Sequence, residues 1–509
     1  MKQTFIDDPT LVFEIRQGLE RETLRTDQNA HASKSQHPEK LGSKLTHPYI
    51  TTDYSENLLE FITPVFKESE ELLKFMGNLH NFTFQKLDHE LFWPFSMPAI
   101  LPEDQNEIPL AYFGESNVGK LKTLYRNGLG HRYGRAMQSI SGVHYNFSFT
   151  DRFWKMIQEE TSDKKELGQV KSEGYFHIIR NFQRYRWMLM YFFGASPVVH
   201  KSFLEGKDHD LEPFAQDSFV TPTGTSLRMG GLGYTSAAQA SIKMCYNQLE
   251  TYVHAIERAR LTPYPPYEKI GLKKGEEYLQ LNTHILQIDN EFYTNIRPKN
   301  VARSRESALQ ALHSRGVEYL EVRLLDNDPF HPLGISEDSI AFLHLFLIWC
   351  FSKESPQLTG EQCDEADQKF EKVVLDGRKK GMKFFSDGSE VSMKDELMGL
   401  LTEMAPLVRK LAQVDPIYQE AYEIQLEKLT NPSKMPSQKV VDEVSRKGFV
   451  QLGLSLAERY SYQMRENIAL DSELEDLSLS TWKDEAKIRE EDTRSFDEFL
   501  EYYFKKIKI

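Results

Sequence analysis

Between residues 143 and 149 the chain alternates strictly. Val143, Tyr145, Phe147 and Phe149 are apolar or aromatic, and His144, Asn146 and Ser148 are polar. Side chains on a strand point to opposite faces in turn, so this run predicts a strand with an apolar back and a polar front. The run G-L-E-R-E-T-L-R at 18–25 places Glu20 and Glu22 on one face and Arg21 on the other. In G-V-E-Y-L-E-V-R-L at 316–324, Glu321 and Arg323 share one face; Glu318, Leu320, Val322 and Leu324 take the other. Leu58, Leu59, Phe61 and Ile62 form an apolar strand interrupted by Glu60 and ended by Pro64. Residues 279–281 and 286–288 read as two further strands.

Helical spacing fills the intervals. Leu72, Leu73, Met76, Leu79 and Phe82 predict a helix over 66–90. Residues 1–19 read as a helical lead-in. An aromatic and Arg-rich helix is expected over 172–193, closed near Gly194 and assigned to the core, and another over 236–260. Glycines at 114, 119, 128, 130 and 134 surround a basic and aromatic segment at 120–135. From 336 onward helix follows helix, broken by a Gly/Lys-rich stretch at 377–382. Strands separated by long helical insertions, without regular alternation, predict an α+β chain with a largely antiparallel sheet. Two regions are expected: 1–350, catalytic, and 351–509, mainly helical and packed on it.

The 509 residues exceed what one ordinary core serves. Aromatic residues make up 12%, which marks a globular chain. The net charge of −14 argues against a nucleic-acid partner and leaves ATP open, since local arginines serve a phosphate. Cys245, Cys350 and Cys363 form no closely spaced ligand motif and fit a reducing cytoplasm. The N-terminus lacks a signal-peptide core, and no stretch reaches the roughly 18 apolar residues of a membrane span. The expectation is a soluble, cytoplasmic protein without a membrane partner.

The chemistry collects on the polar strand faces. Glu20 and Glu22 crowd like charges, which either a divalent cation or a solvated edge relieves. Glu321 beside Arg323 reads as a structural ion pair or as a metal ligand beside a phosphate clamp. Glu60 is costly to bury unless paired or metal-bound, and His144 stands on the polar side of its strand. With Asp53 these are up to five carboxylates on or beside strands, a donor set that suits Mg²⁺. No GxxxxGK[ST] loop or GxGxxG fingerprint is present. A nucleotide would be held through metal ions and arginines; the candidates are Arg126, Arg132, Arg228, Arg297 and Arg323.

The motifs G-L-E-R-E-T-L-R (18–25), I-T-T-D-Y-S-E-N-L-L-E-F-I-T-P (50–64), W-P-F-S-M-P (93–98) and K-T-L-Y-R-N-G-L (122–129) occur in order. They continue through I-S-G-V-H-Y-N-F-S (140–148), F-G-A-S-P (193–197), T-S-L-R-M (225–229), I-R-P-K (296–299) and E-Y-L-E-V-R (318–323). In these the chain resembles the proteobacterial-type glutamate–cysteine ligases, in detail over 11–350. The resemblance implies a glutamine-synthetase-like catalytic sheet with helical insertions and a helical C-terminal region. It implies ATP-dependent ligation of the L-glutamate γ-carboxylate to the L-cysteine amine through γ-glutamyl phosphate, the first step of glutathione synthesis. It makes Glu20, Glu22, Asp53, Glu60, His144 and Glu321 the ligands of more than one Mg²⁺, with Mn²⁺ as a substitute. Arg323, with Glu321 and Arg228, takes the catalytic role; Arg323, Arg297 and Arg132 face the nucleotide phosphates. Tyr125, Arg126, Tyr234, Tyr293 and Arg228 form the amino-acid pocket. A monomer and feedback inhibition by glutathione are also implied. The competing readings are a ligase for another small amine and a metal-binding protein without turnover.

Overall fold

The computed structural model describes residues 4–233, 236–242, 244–303, 306–386, 388–466 and 472–506. A twelve-residue strand, β1 (Ile15–Thr26), runs through the middle of a seven-stranded sheet. It is joined by β2 (Ile50–Thr52), β3 (Leu58–Ile62), β4 (Leu91–Phe92) and β5 (Val143–Phe149). A separate three-stranded sheet of β6 (Val198–His200), β7 (Glu212–Phe214) and β8 (Ser218–Val220) intervenes, then a short hairpin of β9 (Lys273–Lys274) and β10 (Glu277–Tyr278). The main sheet then takes up β11 (Ile296–Lys299) and β12 (Tyr319–Leu325). A last hairpin, β13 (Lys383–Ser386) and β14 (Ser389–Ser392), sits among the C-terminal helices. The main sheet has the order β11-β12-β5-β1-β3-β2, with β4 on the end of β1. Every pairing in it is antiparallel, so the fold is mixed helix and antiparallel sheet.

The alternation read from the sequence sets the two faces. Leu19, Tyr145, Phe147, Leu320 and Val322 are fully buried on the back. Each side chain of this kind contributes about 1.5–3 kcal/mol on burial. The helices Ser69–Lys86, Leu167–Phe193 and Glu337–Ser352 belong to the same continuous core, which runs unbroken across residue 350 to Leu401 and Leu429. Arg21 points into the back as well. Its guanidinium meets the Pro332 carbonyl and lies 3.3 Å from His80 Nδ1. Burial brings Arg21 down to about 9 and holds His80 well below its ordinary range, as a neutral ring.

Several elements differ from the sequence reading. Among the described residues of 1–19 only Thr4–Asp7 is α-helix; a 3₁₀ turn at Pro9–Glu14 follows, and the chain is already strand at Ile15. Pairing of Ile15 with Phe149 and Gln17 with Phe147 overrides the helical lead-in. Residues 279–281 and 286–288 do not pair as strands; β10 ends at Tyr278. Amide side chains take the place of a ladder there: Gln287 Oε1 accepts from Leu281 N–H (3.0 Å), and Gln280 Nε2 donates to the carbonyls of Tyr267 (2.9 Å) and Gly271 (2.8 Å). The helix expected over 236–260 is two, Ala237–Ala240 and Leu249–Leu261. Between them Asn247 exchanges two side-chain hydrogen bonds with the Leu358 backbone.

The basic and aromatic segment at 120–135 is a helix, Asn117–Tyr133, capped by Ser116, whose hydroxyl accepts from Gly119 N–H. Gly128 lets it approach the 280s loop: a Cβ there would lie 2.1 Å from Gln287 Oε1. Of the two C-terminal helices, Phe496–Lys506 returns to brace it and Ser472–Glu490 packs beside the 39–47 segment. Leu500 packs on Leu121 and Leu124, Asn117 N–H donates to Asp492, and Ser43 N–H donates to Thr481 Oγ1. Among the described residues no helix is long and apolar enough to cross a membrane.

Candidate active site

Directly opposed residues of an antiparallel pair point to the same face, so the register assembles the front of the sheet. Glu20 on β1 faces His144 on β5, Glu22 faces Glu60 on β3, Glu321 on β12 faces Asn146, and Arg297 on β11 faces Glu321. The side chains converge accordingly. His144 Nδ1 lies 3.3 Å from Glu20 Oε2 and 3.7 Å from Glu321 Oε1, and His144 Nε2 lies 3.8 Å from Glu22 Oε1. Asn146 Nδ2 donates to Glu20 Oε1 at 2.9 Å. Ligand atoms of Glu20, His144 and Glu321 all fall within 4.8 Å of one another.

The electrostatics divide this face in two. Toward β12, Glu321 is held well below the ordinary carboxylate range despite its burial. Arg323 donates to it at 2.6 Å, and Arg297 and Lys299 stand at 3.8 Å. Glu20 is also lowered against its burial, through the hydrogen bond with His144. Toward β3 the balance reverses. Burial and the neighbouring Asp53 push Glu22 up to about 8, and Arg228 and Arg323 only partly oppose this. Glu60 is raised well above its ordinary value by burial, then by Asp53, Glu20 and Glu22. Asp53 is raised too, chiefly by burial. His144 is brought down to about 4 by burial and by Arg323, so its ring is neutral and able to donate a lone pair. Crowded carboxylates beside a neutral imidazole offer the oxygen and nitrogen donors that a divalent cation takes.

The acidic face opens into a cavity of about 720 Å³. Glu22, Asp53, Arg323 and Arg228 line one part of it; Tyr125, Arg126 and Tyr293 line another. Tyr125 and Arg126 come from the helix Asn117–Tyr133. Arg126 donates to the carbonyls of Asp53, Thr52 (3.4 Å) and Lys122 (3.0 Å), and its guanidinium lies 4.2 Å from the centre of the Phe113 ring. This ties the helix to the end of β2. Tyr293 Oη accepts from Gln138 Nε2 at 2.9 Å. Arg228 is buried. It donates to the Arg323 carbonyl at 2.9 Å and lies flat over Gly142, where a Cβ would meet its Nη2 at 2.3 Å. Gly142 in turn donates its N–H to Glu22 Oε2 at 2.9 Å.

Two of the expected arginines sit elsewhere or are already engaged. Arg132 does not line the cavity. It is sealed against Glu291 (3.0 Å), Gln280 (3.0 Å) and the Asn282 carbonyl (2.6 Å), with its guanidinium over Tyr267, and so holds the 280s loop instead of facing a phosphate. Arg297 reaches the site only through Glu321, while donating to the Phe292 carbonyl at 2.6 Å. Tyr234 lies outside the described residues.

Other residues join the site without having been singled out. Lys299 and Asn146 flank the acidic cluster, and both sat in motifs noted in the sequence. Gln138 supports Tyr293. Gln183 and Arg186 line the cavity from a helix whose aromatic density marked it as core. Cys245 and Cys363 line it too.

Residues 4–373 match the family model of glutamate–cysteine ligase. The chain is 43% identical over 504 residues to the glutamate–cysteine ligase of Alcanivorax borkumensis, covering 96% of this chain and 95% of that one. It is 42% identical over 512 residues to the enzyme of the same name from Hahella chejuensis, with coverage of 97% and 96%. The fold is similar to the crystal structure of glutamate–cysteine ligase from Francisella tularensis in complex with AMP. That likeness has a TM-score of 0.91 and 35% identity, over 97% of this chain and 98% of that one. A bifunctional glutathione synthetase from Pasteurella multocida is similar with a TM-score of 0.74 and 25% identity, over 94% of this chain and 58% of the larger one.

Proposed function

This chain belongs to the glutamate–cysteine ligase family and acts as a glutamate–cysteine ligase in glutathione synthesis; we propose that it does so by phosphoryl transfer on the acidic face of its antiparallel sheet. ATP phosphorylates the glutamate γ-carboxylate: a carboxylate oxygen attacks the terminal phosphorus and ADP leaves. The cysteine amine then attacks the γ-carbonyl carbon of γ-glutamyl phosphate, and phosphate leaves. The AMP in the Francisella relative supports a nucleotide site. The acid-faced antiparallel sheet is the support for the glutamine-synthetase-like assignment.

The observation that carries the reading is the convergence of Glu20, His144 and Glu321, with Glu22, Glu60 and Asp53 beside them. Their donors fit Mg²⁺: hard carboxylate oxygens, one neutral imidazole, and a Glu321 Oε2 that is buried with no hydrogen-bond partner. These six residues would hold the ions. Bound there, Mg²⁺ neutralises phosphate charge and aligns the nucleotide with the acceptor.

The chain's own cations complete the charge balance. Arg323 is held firmly protonated: Glu321 leads Glu22 and Glu20 in raising it against its burial. It stands at the mouth of the acidic face as a fixed positive charge for the transferring phosphoryl oxygens. Arg297 fixes Glu321, and Arg228 lies over the Gly142 turn on the cavity wall. Tyr125, Arg126 and Tyr293 shape the part of the cavity that takes the amino acid which attacks. Cysteine's thiol takes no part in bond formation, so the pocket must hold it by contact alone. Serine and 2-aminobutyrate are then accepted at a modest disadvantage.

The test is phosphate release with product identification. Release that requires glutamate, Mg²⁺ and cysteine together, giving γ-glutamylcysteine, supports the reading. Mg²⁺ binding without glutamate-dependent ATP turnover would falsify it.

A further inference from the structure

Three residues beyond Arg323, just past the last β12–β5 pair of Leu325 with Val143, the chain buries a carboxylate that the proposed chemistry does not use. The Asp326 side chain is fully buried. Its Oδ2 accepts from Ala195 N–H at 2.8 Å and from Ser196 Oγ at 2.7 Å. Its Oδ1 accepts from Ser226 Oγ at 3.1 Å and lies 3.9 Å from Arg228 Nη1. The two loops it grips are also bonded to each other. Leu227 N–H donates to the Ser196 carbonyl at 2.7 Å, and Ser226 Oγ, whose proton goes to Asp326, accepts from Met229 N–H at 3.2 Å. Arg228 is thus fixed at both ends. Its backbone is held in the Ser226–Met229 turn, and its guanidinium is held by the Arg323 carbonyl at 2.9 Å and by the Asp326 charge.

We propose that Asp326 is a positioning residue for Arg228: it locks the 195–196 and 226–229 loops and supplies the charge that keeps the guanidinium flat over Gly142, facing the Glu22 end of the cavity. The proposal rests on the reading of Arg228 as a substrate-facing group.

A carboxylate is the group that fits. Both oxygens accept, one of them twice, and Ala195 N–H cannot reverse its role. An asparagine with its oxygen on Ala195 N–H would turn its Nδ2 toward Ser226 Oγ, a hydroxyl that also accepts, so the loops keep their partners and what is lost is the negative charge beside Arg228. A buried charge beside a cation is also costly unless its hydrogen bonds are complete. Here three donors complete them, Ala195 N–H and the hydroxyls of Ser196 and Ser226. The group sits some distance from the reacting atoms, yet a small tilt of Arg228 propagates directly through Gly142 to Glu22, whose carboxylate accepts from the Gly142 N–H.

The experiment is a double-mutant cycle on the full-length enzyme. Asp326→Asn, Arg228→Gln and the double variant are compared for kcat and for the KM of each substrate, with circular dichroism and thermal midpoints alongside. Misplacing one group by about an ångström reaches effects on the order of 100-fold, so Asp326→Asn is expected to lower kcat by roughly 10–100-fold. In the Arg228→Gln background the same change should cost less than about 2-fold, because the group it positions is gone. Losses that multiply in the double variant overturn the proposal, since they assign Asp326 a role independent of Arg228. Normal turnover of Asp326→Asn beside a crippled Arg228→Gln also overturns it, and leaves the Arg228 reading intact. Normal turnover of Arg228→Gln overturns that reading and the positioning role together. Ser226→Ala keeps the buried carboxylate and provides a milder break in the same network. A smaller drop in kcat that disappears in the Arg228→Gln background supports the proposal even if Asp326→Asn fails to fold, and full turnover of Ser226→Ala refutes it.

Discussion

Glu22 and Glu60 stand directly opposite each other on neighbouring antiparallel strands, one carboxylate per strand on the same face. Opposed like charges destabilise a sheet unless something compensates them. Burial raises both groups most, Asp53 raises both further, and Glu22 adds to the rise of Glu60.

Glu60→Gln should therefore raise the thermal midpoint of the metal-free protein above about pH 8, where Glu22 ionises, while weakening Mg²⁺ binding and turnover. A gain of about 1 kcal/mol is the scale of such a cross-strand pair. Differential scanning calorimetry with and without Mg²⁺ reads both effects. A midpoint that falls in metal-free buffer would count against the crowding argument.

Mg²⁺ binding should release protons near neutral pH. Burial and Asp53 push Glu22 up to about 8, so it carries a proton at pH 7 and must lose it to become a ligand, and Glu60, raised well above its ordinary value, adds to the release. The sign for stability follows. A carboxyl whose folded pKa lies above its unfolded value gives stability that is complete below about 4.5 and lost as pH rises through the folded pKa. The metal-free protein should lose stability on this account as pH climbs toward 8, and Mg²⁺ should oppose the loss. Titration calorimetry in buffers of different ionisation enthalpy measures the protons. A proton count of zero at pH 7 contradicts the shifted carboxyls.

Replacing Arg323 by Gln should lower kcat by about 100–1,000-fold, the range seen when one fixed donor to a developing charge is removed. The fold should survive, because Arg297 and Lys299 still stand 3.8 Å from Glu321. Steady-state rates on protein of normal circular dichroism are the measurement. A change confined to KM would remove Arg323 from the transfer step.

Tyr293→Phe removes the phenol that accepts from Gln138 at the cavity wall. The expected outcome is a higher KM for cysteine, by roughly 5–10-fold for one lost hydrogen bond of about 1 kcal/mol. The KM for ATP should stay within about 2-fold by the same reasoning. Equal shifts in both would detach Tyr293 from the amino-acid pocket.

The front of the sheet was legible because strand period is a local property. Glu20 with Glu22, and Glu321 with Arg323, follow from counting by two, and His144 follows from the run 143–149. Register then brought four strands together without further instruction, as Glu20 met His144 and Glu22 met Glu60. Arg132 shows where such reading stops. It lies seven residues beyond Tyr125 on one helix, on nearly the same side but about 10 Å further along the axis. That places it under the 280s loop, beyond the cavity. Gln183 and Arg186 were hidden by the aromatic residues around them, which bury most of that helix. Asp326 was not visible at all, because its meaning depends on two loops 100 and 130 residues away arriving at one carboxylate.

The two-sided strand β1 has a consequence for how this protein can change. Its even and odd positions serve different masters: Glu20 and Glu22 the acidic front, Leu19 and Arg21 the interior. Inserting or deleting one residue between Gly18 and Leu24 would exchange the two sets at a stroke. No such indel can trade a little activity for a little stability, because both vanish together. Length variation is confined to the connections, such as the stretch between β1 and β2, and the catalytic strand itself is open to substitution alone.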